Sequence, residues 1–493
     1  MSVSISDLDK LKHIDIPASL KESTSLIFNT LGDSSDIVIR NISITEDHAK
    51  ISVCIMQIEG LADEQRVSES VIAPLTALQA GQSGNNLSTI VQALTTTSLS
   101  HANTLNVALS ELLSGNTLII LDDCSTILSA GTRGPETRSI SEPTTQTVIR
   151  GPKDGFTESL NTNIALVRDR MKTPQLRVRS KKIGSVTQTN LAYMYLANMV
   201  DQAVLHDLEE KLNQIHINGI LESAYIEALI KDKNPTVFPL MMNTERPDVV
   251  TANLLDGKVA ILIQGTPYVL LIPSVFLQFF QSPEDYYQNA YIGSFLRLLR
   301  FAAFIMALYA PAVYVALISH HESLVPTVLL VSLASQREGV PFPVIVEALL
   351  MELAFEILRE AGIRMPRAVG SALSIVGALI LGQAAVQAGF VSAAIVIIVS
   401  LTAIASFAMP HYNMAISARL LRFILLLAGS YFGLYGIMLA TIIIVLHMCG
   451  LHSFGVPYFT PMSPFQWKKQ KDAFLRFSLI ANNSNKNEGG PAK

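Results

Sequence analysis

The sequence predicts a soluble α/β N-terminal region of two related lobes, followed by an all-α polytopic membrane domain. Three observations predict it. Mean hydropathy is +0.38 with only 15% charged residues, too apolar an average for one soluble globule. Charge divides unevenly: residues 1–293 hold 22 Lys+Arg against 32 Asp+Glu (net −10), while 294–493 hold 14 against 8 (net +6) in a mostly apolar run. Such asymmetry separates a soluble module from an integral membrane one. The third observation is an internal repeat within the first region. Expected boundaries are 1–150 for lobe 1 with its connector, 151–293 for lobe 2, 294–452 for the membrane domain and 453–493 for a cytosolic tail.

The opening "MSVSISDLDKLKHIDIP" shows no apolar signal core, so the N-terminal region is expected to stay cytosolic. "CIMQIEGLADEQRVSES" (54–70) and "YMYLANMVDQAVLHDLEEKL" (193–212) each read as a strand running into a helix start, with Asp63 matching Asp201 about 138 positions later. "SGNTLIILDDCSTIL" (114–128) matches "DGKVAILIQGTPYVL" (256–270) at about 142 positions, two β-rich arms around a polar turn in each. Between the copies, the Gly-, Pro-, Ser- and Thr-rich stretch 131–156 reads as a connector. A helix is expected over 157–171, capped by Thr157 or Asp154.

Neither lobe holds a Walker A lysine motif, GxSxG, HExxH or a clean GxGxxG, so no enzymatic role and no cofactor are expected. Asp122-Asp123 suits a hairpin turn better than a metal or acid–base site. Cys54, Cys124 and Cys449 lie far apart without zinc spacing or a disulfide framework. No nucleic-acid role is expected from a region this acidic. His320-His321 is placed at a membrane boundary.

A hydrocarbon core needs about 20 apolar helical residues. Residues 301–319, 369–389 and 391–409 qualify; 423–448 is longer and interrupted by "GSYFGLYG". Residues 324–335 are too few to cross. Arg297/Arg300, Arg359/Arg364/Arg367, Arg419/Arg422 and the lysines of 467–471 form four basic clusters that positive-inside logic places in the cytosol. The Glu-bearing stretch must then carry the chain back across. That count gives five crossings, whereas a tail on the inside requires an even number; the sequence leaves the parity open. Within 369–389, Ser374, Ala378 and Gly382, with Gly370 and Gly377 nearby, form a small-residue packing face. Gln383 and Gln387 project together, either to bond across helices or to line a wet path.

"GVPFPVIVEALLMELAFEILREAG" (339–362) places four carboxylates on one predicted helix, with Pro341 and Pro343 at its start. At about 100° per residue, Glu352, Glu356, Arg359 and Glu360 share a stripe about 100° wide. Glu347 lies roughly 140° away among apolar residues and needs its own partner. Two readings stand: an interfacial amphipathic helix, or the wall of a hydrated path, since intramembrane ionisable residues are functional candidates. Around a symmetric oligomer, Glu352 and Glu356 would form two rings about 6 Å apart.

Residues 341–389, together with "RGPKDGFTESLNTNIALVRDRM" (150–171), "DYYQNAYIGSFLRLLRF" (285–301) and "SFGVPYFTPMSP" (453–464), resemble the A subunits of GerA-type spore germinant receptors. The resemblance covers nearly the whole chain in order. It implies a spore inner-membrane protein with a cytosolic N-terminal region. Its partners would be a transporter-like B subunit that holds the nutrient and a C lipoprotein. It further implies a homo-oligomeric ring around a ligand-gated path for monovalent cations. A secondary transporter or a structural scaffold are the competing functions.

Overall fold

The computed structural model describes residues 14–46, 49–78, 86–96, 98–134, 142–143, 146–232, 234–365, 382–466 and 474–476. Two compact units emerge. One comprises Met1–Asp232 with Met241–Pro273, the other Lys233–Leu240 with Ser274–Lys493.

The first unit contains the repeat. Its first lobe runs α1 (Leu20–Thr30), β1 (Ile37–Glu46), β2 (Ala49–Ile58), α2 (Asn86–Ala93), β3 (Leu99–Ala102), α3 (Leu105–Leu113), β4 (Thr117–Leu121) and β5 (Ile127–Ala130). The second runs α4 (Leu160–Arg170), β6 (Leu176–Ile183), β7 (Thr189–Leu196), α5 (Gln202–Asn213), α6 (Ser223–Ile230), β8 (Met242–Thr244), α7 (Pro247–Leu255), β9 (Val259–Ile263) and β10 (Val269–Ile272). The strand orders are the same, β1-β2-β4-β5-β3 and β6-β7-β9-β10-β8, and every pairing is antiparallel.

Local chemistry repeats as well. Asp63 and Asp201 both cap helices that follow the second strand of their lobe, accepting from Gln65 and Arg66 N–H in one case and Ala203 N–H in the other. The β4–β5 turn holds Asp123 at φ 58°, and the β9–β10 turn holds Gly265 at φ 91°. The acidic pair is therefore a turn, and Asp122 accepts from the Leu20 N–H at the start of α1. The α4 cap differs from expectation. Ser159 accepts from Thr162 N–H, because Thr157 is held by Asn163 and Asp154 pairs with Arg170.

In the central strands side chains alternate between two cores. Cys54, Met56, Leu118 and Ile120 pack towards α1 and α3. Val53, Ile55, Ile119 and Leu121 pack towards residues 71–75 and α2 on the other face. A strand buried on both sides reads as one apolar run, which is how "TLIIL" looks in the sequence. Cys54 lies in this core, and burial pushes its thiol up. Between lobes, Asp36 takes two bonds from Arg168 (2.8 and 3.0 Å), and both residues are buried.

The second unit is helical: α8 (Ala290–His320), α9 (Thr327–Arg337), α10 (Val344–Arg364), α11 (Ala393–Phe407) and α12 (Tyr412–Gly450). Among the described residues, α8 and α12 are long and apolar enough to cross a membrane, and α11 is a shorter apolar helix. The short α9 buries no residue. Most of the expected span at 369–389 lies outside the described residues, including Gly370, Ser374, Gly377 and Ala378; Gly382 is described and buried.

α12 is not one straight rod. Gly433 has φ 60° and ψ −146°, a backbone state essentially reserved for glycine. The Ser417 hydroxyl donates to Val237 C=O, and His447 Nε2 lies 3.0 Å from Thr236 Oγ1. Thirty helical residues span about 45 Å if straight, so positions 417 and 447 can meet neighbouring residues only if the chain folds back. Ile437 accordingly packs 3.2 Å from where a Gly429 Cβ would stand. α12 is a helical hairpin with arms 412–432 and 434–450.

The ends of this bundle can be told apart. At one end Phe280 packs on Phe301 and Phe304, Phe279 on His411, and Phe276 on Tyr458. At the other, His320 Nε2 lies 2.6 Å from Ser430 C=O beside the hairpin tip. Val315 and Ile318 near the end of α8 share a core with Val344 and Ala348 of α10 and Val391 and Ile395 of α11. α10 therefore starts at the second end, and its Arg359 lies over Tyr412 at the first.

Candidate functional site

The four carboxylates of α10 meet four different surroundings. Glu352 and Glu356, one turn apart, face Arg419 and Arg422 on the first arm of α12. Arg422 Nη2 lies 2.7 Å from Glu352 Oε2 and 3.3 Å from Glu356 Oε1. Arg419 Nη1 bonds Glu356 Oε2 at 2.8 Å. A turn further, the Arg359 guanidinium sits 5.6 Å from the Tyr412 ring and 5.9 Å from that of Phe407. Antiparallel helices thus set Glu352, Glu356 and Arg359 against Arg422, Arg419 and Tyr412 in register. The cluster holds two carboxylates and three guanidiniums. Glu352 is 0% and Arg422 2% exposed, so their attraction is little screened and neither can be left alone cheaply.

Glu347 has the separate partner that its angular position demands. Its Oε1 lies 3.2 Å from Arg337 Nε of α9, and its Oε2 accepts from Ser392 N–H at 2.9 Å, just before α11. One buried carboxylate ties three helices. Glu360 is exposed and pairs with Arg364 one turn on (2.6 Å). Gln383 and Gln387 are both exposed. The structure therefore brings together Glu352 and Glu356, and keeps Glu347, Glu360 and the two glutamines apart from them.

Sequence reasoning used Arg419 and Arg422 for orientation and missed them as partners. The available signal was complementary spacing: acids at i, i+4 on one helix, bases at i, i+3 on another. Arg337 and Ser392 carried no comparable signal.

A second buried centre lies at the start of α8. Asp285 is fully buried and accepts from Arg300 (2.7 and 2.9 Å) and Arg297 (3.3 Å). The guanidiniums of Arg297 and Arg476 lie 5.8 and 5.6 Å from the centre of the Tyr286 ring. Among the described residues no group of three or more His, Cys, Asp or Glu could hold a metal ion.

The profile of the Bacillus/Clostridium GerA spore germination protein family matches residues 25–487. The chain belongs to the GerA family. Within the GerA family, spore germination protein KA of Bacillus subtilis is 50% identical over 470 residues, covering 95% of this chain and 86% of that one. The membrane protein YfkQ of Bacillus subtilis is 42% identical over 474 residues, covering 96% and 91%. Among solved structures, the N-terminal domain of the A subunit of the Bacillus megaterium spore germinant receptor GerK3 is 37% identical, with a TM-score of 0.42. It covers 54% of this chain and 98% of that one.

Proposed function

We propose that this GerA-family chain is a germinant-receptor A subunit that oligomerises into a ring and conducts monovalent cations when a nutrient binds a partner subunit. Family membership over nearly the whole chain carries the receptor reading. The same reading supplies the partners, a transporter-like B subunit and a C lipoprotein, and the spore inner membrane as location. The chain does no chemistry of its own.

The hairpin in α12 supports a six-crossing topology: α8, α10, the span expected from sequence at 369–389, α11 and the two arms of α12. An even count puts all four basic clusters on one face, as positive-inside logic requires. The N-terminal lobes and the tail then share the cytosol, and His320, His321 and Ser430 lie at the opposite surface.

For the ion path, burial divides the six candidates. Glu347, Glu352 and Glu356 are engaged by arginines and act as braces that fix α9, α10, α11 and α12. Gln383, Gln387 and Glu360 are exposed on the single chain, so they are the ones that would face a path between subunits, the glutamines by replacing hydration and Glu360 by attracting cations. The deciding experiment is potassium release from liposomes holding the A subunit with its B and C partners, on addition of a nutrient that the complex binds. Release that depends on the A subunit supports conduction. A complex that binds nutrient and releases nothing would leave the chain as a scaffold, and nutrient bound by the A subunit alone would favour a transporter.

A further inference from the structure

Between α6 and β8 the second lobe carries eleven residues, 231–241, where the first lobe carries five, 94–98. The repeat offset accordingly rises from 137 (Asn86 to Ser223) to 143 (Leu99 to Met242). This insertion does not stay with its lobe: Lys233–Leu240 belongs to the compact unit of the helical bundle.

Its four anchors are specific. Thr236 Oγ1 meets His447 on the second arm of α12, and Val237 C=O accepts from Ser417 on the first. Phe238 is buried, with its ring 6.4 Å from Phe276, 6.4 Å from His447 and 6.3 Å from Tyr458. The Ser453 hydroxyl donates to Leu240 C=O (2.7 Å), and its Oγ accepts from Ser274 N–H (3.1 Å). Leu240 and Ser274 stand at two of the three points at which the chain passes between the two units, the third following Asp232. Ser453 therefore ties two of the three passages together with one buried hydroxyl.

We infer that residues 234–240, clamped by Ser453, are the coupling element through which the second lobe and the open end of the α12 hairpin bias one another. Each arm is a continuous helix, and the one non-helical residue within Tyr412–Gly450, Gly433, stands at the far tip as the hinge. A wedge between the open ends then sets how far the arms are spread. Small movements at such hinged pairs are the usual substance of switching transitions. Chain continuity from Asp232 and to Met241 gives the lobe its hold on the wedge, and coupling of this kind must act in both directions.

The test is hydrogen exchange on the full chain in nanodiscs. Phe238→Ala should raise exchange about ten-fold in 412–418 and 445–453 and leave α11 unchanged. Conversely, Ser417→Ala with His447→Ala should raise exchange in β8 and α6 of the second lobe but not in α2 or β3 of the first. Changes confined to 234–240 in both directions overturn the inference. Should Phe238→Ala fail to assemble, Ser453→Ala compared with Ser453→Thr, which keeps the hydroxyl, decides by the same readout. The physiological consequence rests on the receptor reading. A Thr236→Cys/His447→Cys crosslink, made with Cys449→Ala, should abolish the nutrient response of spores and release it on reduction; an unaltered response in the oxidised form also overturns the inference. If unmodified spores carrying the chain answer no nutrient, the receptor reading fails and hydrogen exchange alone decides the coupling.

Discussion

Replacing Arg422 by Met and Glu352 by Gln, singly and together, interrogates the charge cluster between α10 and α12. Both side chains are almost fully buried and 2.7 Å apart. Removing one partner of such a pair costs about 3–5 kcal/mol, most of it the penalty for the charge left behind. The geometry makes the two single variants unequal. Without Glu352, Arg422 still reaches Glu356 at 3.3 Å, so Glu352→Gln should fall below that range, near ~2 kcal/mol. Without Arg422, Glu352 faces no other guanidinium within salt-bridge distance among the described residues, and Arg422→Met should cost the full ~3–5 kcal/mol. The double variant removes the orphaned charge and should be more stable than Arg422→Met alone, a coupling of ~1–3 kcal/mol. The assay is the temperature at which half of the nanodisc-embedded protein loses its monodisperse chromatographic peak. A double variant as unstable as the two losses summed would mean that the two charges are not coupled, and single variants indistinguishable from the parent would mean that the pair contributes nothing.

Asp36→Asn should leave Arg168 half-paired inside the lobe interface and cost ~3–5 kcal/mol; pulse proteolysis in urea should show a lower midpoint for the soluble region, and an unchanged midpoint contradicts it. Glu222 caps α6: burial opposes its charge, but the Ser223 hydroxyl, Ala224 N–H and Thr266 hydroxyl hold its carboxyl below the ordinary value of 4.5. Because the folded value is the lower one, its stabilisation is present above pH 4.5 and lost as pH falls through the folded value. Glu222→Gln should therefore raise α6 amide exchange about five-fold at pH 7, the effect of losing a cap worth ~1 kcal/mol, with the difference shrinking in acid; a difference that grows in acid contradicts it. Gly433→Ala combines a forbidden backbone state with a Cβ driven into the His321 ring, and should lower the half-loss temperature by the equivalent of ~2 kcal/mol or more. In sealed vesicles with the outer face exposed, cysteines at Ser323 and Ser430 should label with an impermeant maleimide and one at Ser463 should not; labelling at Ser463 would mean that α12 crosses once.

Much of the soluble fold was legible because both of its signals are local. Asp63 and Asp201 announce caps by residue type, and "TLIIL" and "VAILI" announce strands buried on both faces by continuous apolarity. The offset drift within the repeat even marked an insertion, although its purpose needed the structure. The membrane half was legible in composition and not in pairing. A break at "GSYFGLYG" can be read from its glycines. That Gly433 reverses the chain depends on contacts of Ser417 and His447 with a loop 180 and 211 residues away. The carboxylates posed the same difficulty. Helical angle correctly sets Glu347 apart from the other three, yet angle says nothing about which helix lies opposite. A stripe that reads as water-facing in isolation is largely occupied by arginines from α12.

Whether the chain conducts is decided by single-channel recording from planar bilayers containing the A subunit with its B and C partners. Cation-selective openings are expected on addition of the cognate nutrient, with conductance or selectivity changed by Gln383→Leu and Gln387→Leu. Nutrient-bound complexes that stay electrically silent, or currents indifferent to both glutamines and to Glu360→Gln, would contradict that expectation.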